Sequence, residues 1–190
     1  MYEITILLTQ ILATLTLLGH IGLAVLIIYL IIRLLSKWRF GLAENILALI
    51  KQHSVLFVFL VAITGMLLSL YYSELAQFPP CELCWWQRIF LYPQAFIFGT
   101  TLIIKAKKVQ IYGIVLSIFG WLIAGYQYIL QLNQIFGGSP ILPVPCNTNG
   151  AVSCSHYYFF EYGYITMPMM SLTAFTFILV ILLIHRYYRK

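Results

Sequence analysis

A chain of 190 residues that is 62% hydrophobic and only 8% charged has too little polar surface to fold in water, where domains carry about 25% charged residues. Soluble globular enzymes and disordered chains are excluded on that ground. The net charge of +6, from 11 basic and 5 acidic residues, reads on such a chain as a membrane-orientation signal and not as a nucleic-acid site.

The first element is the uncharged run 4–32. Spanning the hydrocarbon takes about 20 apolar residues. This run is too long for the apolar part of a signal peptide, and Glu3 precedes it where a basic residue would be expected, so it is predicted to be a retained spanning helix. Its length implies tilt or partial exit from the bilayer. A basic connector, 33–51, follows with Arg33, Lys37, Arg39 and Lys51 against Glu44, and its part 44–51 is apolar enough to lie along the membrane surface. Four more spans are predicted at about 53–71, 85–104, 109–131 and 167–184.

Charge orients these spans. Lys105, Lys107 and Lys108 fill the tight turn between the third and fourth, and Arg186, Arg189 and Lys190 follow the last. The connectors 72–84 and 132–166 hold no Lys or Arg, and Arg88 is the one basic residue on their side. Ten of the eleven basic residues therefore share one face, which the positive-inside rule assigns to the cytoplasm. The expectation is a multi-pass protein of the bacterial cytoplasmic membrane, with the N-terminus outside and the C-terminus inside. Omitting the first helix would leave a four-span protein with the same signs. Tyr71, Tyr72, Trp85, Trp86, Tyr157, Tyr158, Tyr162 and Tyr164 gather at the outer boundary as interfacial aromatics do. The predicted fold class is all-α: residues 1–45 form an extra N-terminal helix with its connector, and 46–190 an antiparallel four-helix bundle with two outer cysteine loops.

All four cysteines fall on the outer side, where disulfides persist. Cys81 and Cys84 form CELC, whose small ring would restrain an unfolded chain little, so the spacing favours a working pair over a structural one. Pro79 and Pro80 stop the loop, and a helix starting near Cys81 puts Cys84 in its first turn, where the helix dipole favours a thiolate. Arg88, one turn further along the same face, adds a permanent cation. A lone interfacial arginine ordinarily snorkels to headgroups; beside a cysteine pair the functional reading is preferred. Pro93 is expected to kink or loosen this helix. Cys146 and Cys154 sit in a loop broken by Gly137, Gly138, Pro140, Pro143 and Pro145. Alone they read as a structural loop bond; on one face with CELC they can exchange electrons through thiolate attack.

The segment 78–93, FPPCELCWWQRIFLYP, resembles the membrane disulfide-generating oxidoreductases of the DsbB/BdbC type, in which a C-x-x-C is followed by an arginine four residues on. The stretch 163–175, GYITMPMMSLTAF, is similar to the start of the last helix in the BdbC branch, and the resemblance covers about 50–186. It implies a four-helix bundle that reoxidises an extracytoplasmic thioredoxin-like dithiol oxidase and passes the electrons to membrane quinone, ubiquinone or menaquinone, sustaining protein disulfide formation. By the resemblance, Cys81 and Cys84 are the quinone-facing pair, Cys84 the thiolate at the ring and Arg88 its neighbour at a quinone oxygen. Cys146 takes the mixed disulfide with the partner and Cys154 resolves it. Reduction builds negative charge on quinone oxygens, which a fixed cation stabilises.

The close spacing of Cys146 and Cys154 fits the branch with the shorter second loop, and the first helix lies outside the pattern. His20 and His156 read as a helix-contacting and an incidental loop histidine ahead of proton-transfer roles, and Gln127 and Gln131 as solvating or inter-helix polar groups. Two other readings compete. Vitamin K epoxide reductase-like proteins also join a quinone-side C-x-x-C to a loop pair, but in the reverse chain order. A zinc-stabilised membrane scaffold would hold four thiolates, yet C-x₂-C with C-x₇-C is a loose pattern and an oxidising face is a poor place for it. No metal site is expected. No charged residue lies deep in a span to mark an ion path, and no Gly-rich phosphate loop is present.

Overall fold

The computed structural model describes residues 2–36, 41–104, 106, 108–137 and 153–187. The predicted class, an all-α membrane protein, is what it contains: α1 (Tyr2–Ser36), α2 (Gly41–Gln52), α3 (Ser54–Leu70) continued by a π-helical turn (Tyr71–Leu75), α4 (Glu82–Ile104), α5 (Val109–Ile135) and α6 (Met167–Tyr187). At 35 residues, α1 is about 50 Å long and exceeds the bilayer's hydrocarbon thickness. Its C-terminal end is tied to α2, where Arg33 Nη1 lies 3.1 Å from Glu44 Oε1 and Tyr29 OH donates to the same oxygen at 2.8 Å.

The four remaining helices close a ring in which α3 packs on α4, α4 on α5, α5 on α6 and α6 on α3. Contacts at the two ends make it antiparallel. At one end Ser54 Oγ meets His185 Nδ1 at 2.8 Å, joining the start of α3 to the end of α6. At the other, Arg88 near the start of α4 reaches Ser69 at the end of α3, and Tyr128 OH near the end of α5 donates to Tyr164 O just ahead of α6. The core contains Val58, Ala62, Leu91, Ala95, Phe98, Ala124, Phe175, Ile178 and Leu182. Close approach of α5 to its neighbours depends on small residues: a Cβ on Gly113 would lie 2.6 Å from Phe98 Cζ, and one on Gly120 would collide with the Phe175 ring.

Five spans were expected; among the described residues four stretches, Glu3–Arg33, Ser54–Leu75, Val109–Ile135 and Met167–Tyr187, are long and apolar enough to cross a bilayer. Helix α4 falls short because it carries Gln87, Arg88 and Gln94. All three are turned inward, with 7%, 8% and 0% of their surface exposed, and Gln94 is bonded by Ser117 Oγ at 3.1 Å. Enclosed by α3 and α5, a 23-residue helix hides its polar face and runs alongside the other spans. It also continues unbroken through Pro93.

Candidate active site

The loop before α4 is held from both sides. Phe78 stacks on Tyr158 with ring centroids 4.4 Å apart, and Tyr158 OH donates to Pro79 O at 2.9 Å. Pro79 and Pro80 then deliver Cys81 to the residue just ahead of α4 and Cys84 to its first turn, as the sequence predicts. Both are free thiols, their sulfurs 2.8 Å apart, ahead of the span predicted at 85–104.

The polar partner of the pair comes from α5. Gln127, 2% exposed, donates from Nε2 to Cys81 Sγ at 3.1 Å and to Cys84 Sγ at 3.3 Å, and its Oε1 accepts from Gln87 Nε2 at 2.5 Å. The contact between the two sulfurs drives the acidities of the two thiols apart. Hydrogen bonding from Cys81, helped by Gln127 and the Arg88 charge, holds the Cys84 thiol below the usual cysteine range against the opposing effect of burial. The bond to Cys84 and burial push Cys81 up. Of the two, Cys84 is the one whose thiolate is favoured.

Arg88 is turned into the bundle and does not snorkel. Its Nε donates to Ser69 Oγ at 2.9 Å and its Nη2 to Ser69 O at 3.0 Å, while the guanidinium lies 5.0 Å from the Trp85 ring centroid. Three donors thus remain beyond those two bonds, on a side chain that lines a cavity of about 500 Å³. Cys84, Gln87 and Gln127 share its polar end. From there it extends past Gly65 to Leu60 on α3 and to Phe177 on α6, roughly two and a half helical turns of mostly apolar wall. Pro93 is not among its lining residues.

Cys154 is fully buried and packs with Cys81, Leu83 and Leu130, with Cys84 at the edge of the same cluster. The fold thus brings the second cysteine loop onto CELC. Cys154 is disulfide-bonded and so is not a thiolate available to a metal. Cys146 lies outside the described residues. The loop is fixed beside Cys154 by Gln131 Nε2, which donates to His156 O at 2.7 Å. The His156 ring packs edge-on to Tyr158 at 4.9 Å. His20 is a satisfied helix-contacting histidine, with Nδ1 3.1 Å from Tyr164 OH and Nε2 2.7 Å from Thr173 Oγ1.

Sequence reasoning did not single out Gln87 or Ser69, and read Gln127 only as an inter-helix polar group. Gln127 is one, but its amide also serves both sulfurs. The available signal was an uncharged polar residue in each of two neighbouring spans, Gln87 three residues after Cys84 and Gln127 facing it.

No solved structure matches this chain. The family model "Disulfide bond formation protein DsbB" matches residues 51–185. A probable disulfide formation protein of Oceanobacillus iheyensis is 37% identical over 142 residues, covering 73% of this chain and 87% of that one. Disulfide bond formation protein C of Bacillus subtilis is 38% identical over 120 residues, 63% of this chain and 83% of its own. A probable disulfide formation protein C 2 of Bacillus anthracis is 31% identical over 144 residues, 76% of this chain and 98% of its own. With a C-x-x-C held at a helix start by a buried amide and cation, in an all-α membrane fold matched along most of its length, the chain belongs to the DsbB family of disulfide bond formation proteins.

Proposed function

We propose that this protein oxidises an extracytoplasmic thioredoxin-like dithiol protein and delivers the two electrons to a membrane quinone, ubiquinone or menaquinone. One observation carries the reading: the CELC pair is divided, with Cys84 and Arg88 lining the cavity while Cys81 packs against Cys154. One sulfur faces an acceptor site and the other faces the second pair. The cavity fits a quinone in its chemistry, since a cation and two amides sit at one end of a long apolar slot. When bound, a quinone supplies the sink for two electrons and two protons.

The thiol steps follow from thiolate attack on disulfide sulfur. A partner thiolate attacks Cys146 of the Cys146–Cys154 bond, forming a mixed disulfide and releasing Cys154. The Cys154 thiolate, packed against Cys81, attacks Cys81 of the Cys81–Cys84 bond instead of resolving the mixed disulfide, forming Cys81–Cys154 and releasing Cys84 as the stabilised thiolate. The partner's second thiolate attacks its own half of the mixed disulfide; the partner leaves oxidised and Cys146 leaves as a thiolate. Cys146 then attacks Cys154 and releases Cys81, so the outer pair is re-formed and CELC holds both electrons. Arg88 and Gln127 favour negative charge at the cavity end of that pair. Thiol partners act on the outer face in this reading, with the N-terminus outside and the basic connectors in the cytoplasm.

Anaerobic assay of the purified full chain with a reduced thioredoxin-like protein and quinone tests this. One quinone is expected to be reduced for each partner disulfide formed. Cys84→Ser abolishes turnover, and Arg88→Ala raises the apparent quinone KM about tenfold, the loss expected for a charge-assisted hydrogen bond. Partner oxidation without quinone reduction overturns the reading.

A further inference from the structure

The helix α1 stands apart from the family pattern. The family match begins at residue 51, and 76% of this chain suffices to cover 98% of the Bacillus anthracis relative. Helices in lipid gain no hydrophobic free energy by associating, so a defined register between them comes from packing and polar bonds. On α1 these bonds run down one face. Tyr72 OH donates to Thr9 Oγ1 at 2.8 Å, the threonine hydroxyl hydrogen being committed to Thr5 O. Thr5 Oγ1 meets Tyr71 OH at 3.1 Å, and His20 bridges Tyr164 and Thr173. Near His20 the α1 backbone comes close to the Phe177 ring of α6, since a Cβ on Gly19 would lie 3.0 Å from Phe177 Cε2. The partners belong to the end of α3, the second outer loop and α6, so α1 lies across the seam where α3 meets α6.

Between the Thr9 and His20 ties, Leu12, Leu15 and Thr16 line the same cavity as Cys84 and Arg88. We propose that α1 is the lipid-side wall of the acceptor slot, and that Leu12, Leu15 and Thr16 contact the isoprenoid tail of the quinone and make tail length a determinant of affinity. This rests on the quinone reading above. A tail already dissolved in lipid gains nothing from apolar burial alone. It gains from a wall of fixed shape, whose dispersion contacts fluid acyl chains do not reproduce.

The test is equilibrium binding to the full-length protein in nanodiscs, read from quenching of tryptophan emission by two quinones of identical ring, one with a two-unit isoprenoid tail and one without. Leu12→Ala/Leu15→Ala is expected to raise Kd for the tailed quinone about tenfold and to leave the tail-less one within about twofold. Leu15→Trp fills the slot instead of emptying it and should weaken the tailed quinone alone, so the outcome does not depend on how the alanine variant assembles. Equal shifts for both quinones, or none, overturn the wall while the acceptor site stands. Failure of both quinones to bind the unsubstituted protein overturns the acceptor reading and the wall together.

Discussion

Around the Cys84 sulfur, a neighbouring thiol, an amide and a guanidinium all act in one direction, and burial acts in the other. A depressed thiol pKa means that the thiolate persists to lower pH and is lost only as pH falls through the depressed value. Alkylation of reduced Cys84 by a small maleimide should therefore reach its plateau at lower pH than for an ordinary cysteine. Gln127→Leu keeps the bulk and removes the amide donor, so the midpoint should move toward higher pH; an unmoved midpoint would show that the amide is not a cause. Cys81, pushed up by Cys84 and burial, should stay unreactive over the same range. The cysteine pair and Arg88 are legible in the sequence because the helix start and a one-turn spacing fix their relation locally. Gln127 is not, because its amide meets the sulfurs only through the pairing of α4 with α5, a fact of packing that no local spacing encodes.

Among the elements, α4 departs most from its sequence reading. Its polar residues lower its apolarity below that of the other spans, yet each faces an interior partner: Ser69 for Arg88, Gln127 for Gln87, Ser117 for Gln94. Hydropathy reads composition along one helix and cannot register a polar face enclosed by two others. Helix α5 owes its position to glycine. Gly120→Ala should destabilise the bundle by about 1–3 kcal/mol, the range for overpacking a filled core, even though alanine is the better helix former. Gly22 on α1 has open space around it, so Gly22→Ala should be neutral or slightly stabilising. Thermal unfolding in detergent followed by circular dichroism compares the two; equal midpoints would remove the close α5–α6 contact as the reason for Gly120.

Among the described residues, the basic side chains other than Arg88, namely Arg33, Lys51, Lys108 and Arg186, lie at helix ends away from the cysteines. Arg33 and Glu44 pair at the end of α1 far from the cysteines, and Lys51 O and Ser54 receive His185 at the same level. Cleavable tags at the two termini should report the arrangement: in intact cells stripped of their outer layers, added protease is expected to remove an N-terminal tag and spare a C-terminal one. The reverse pattern would invert the orientation. The apolar segments were readable from the sequence because bilayer thickness acts on composition alone. How α1 seats on the bundle was not, since its register depends on hydroxyl and imidazole bonds to residues 63–153 positions away.

The burial of Cys154 against Cys81 has a further consequence for selectivity. Their exchange would take place in a cluster where Cys154 and Cys81 are 0% and 4% exposed, out of reach of the small thiols dissolved around a cell. A bystander such as a free cysteine can challenge the system only at its two ends, the outer loop and the acceptor slot. The joint between them is sealed, so current cannot leak part-way. Under the proposed function, oxidation of the protein partner and reduction of the acceptor would then advance in step, even in a medium rich in competing reductant.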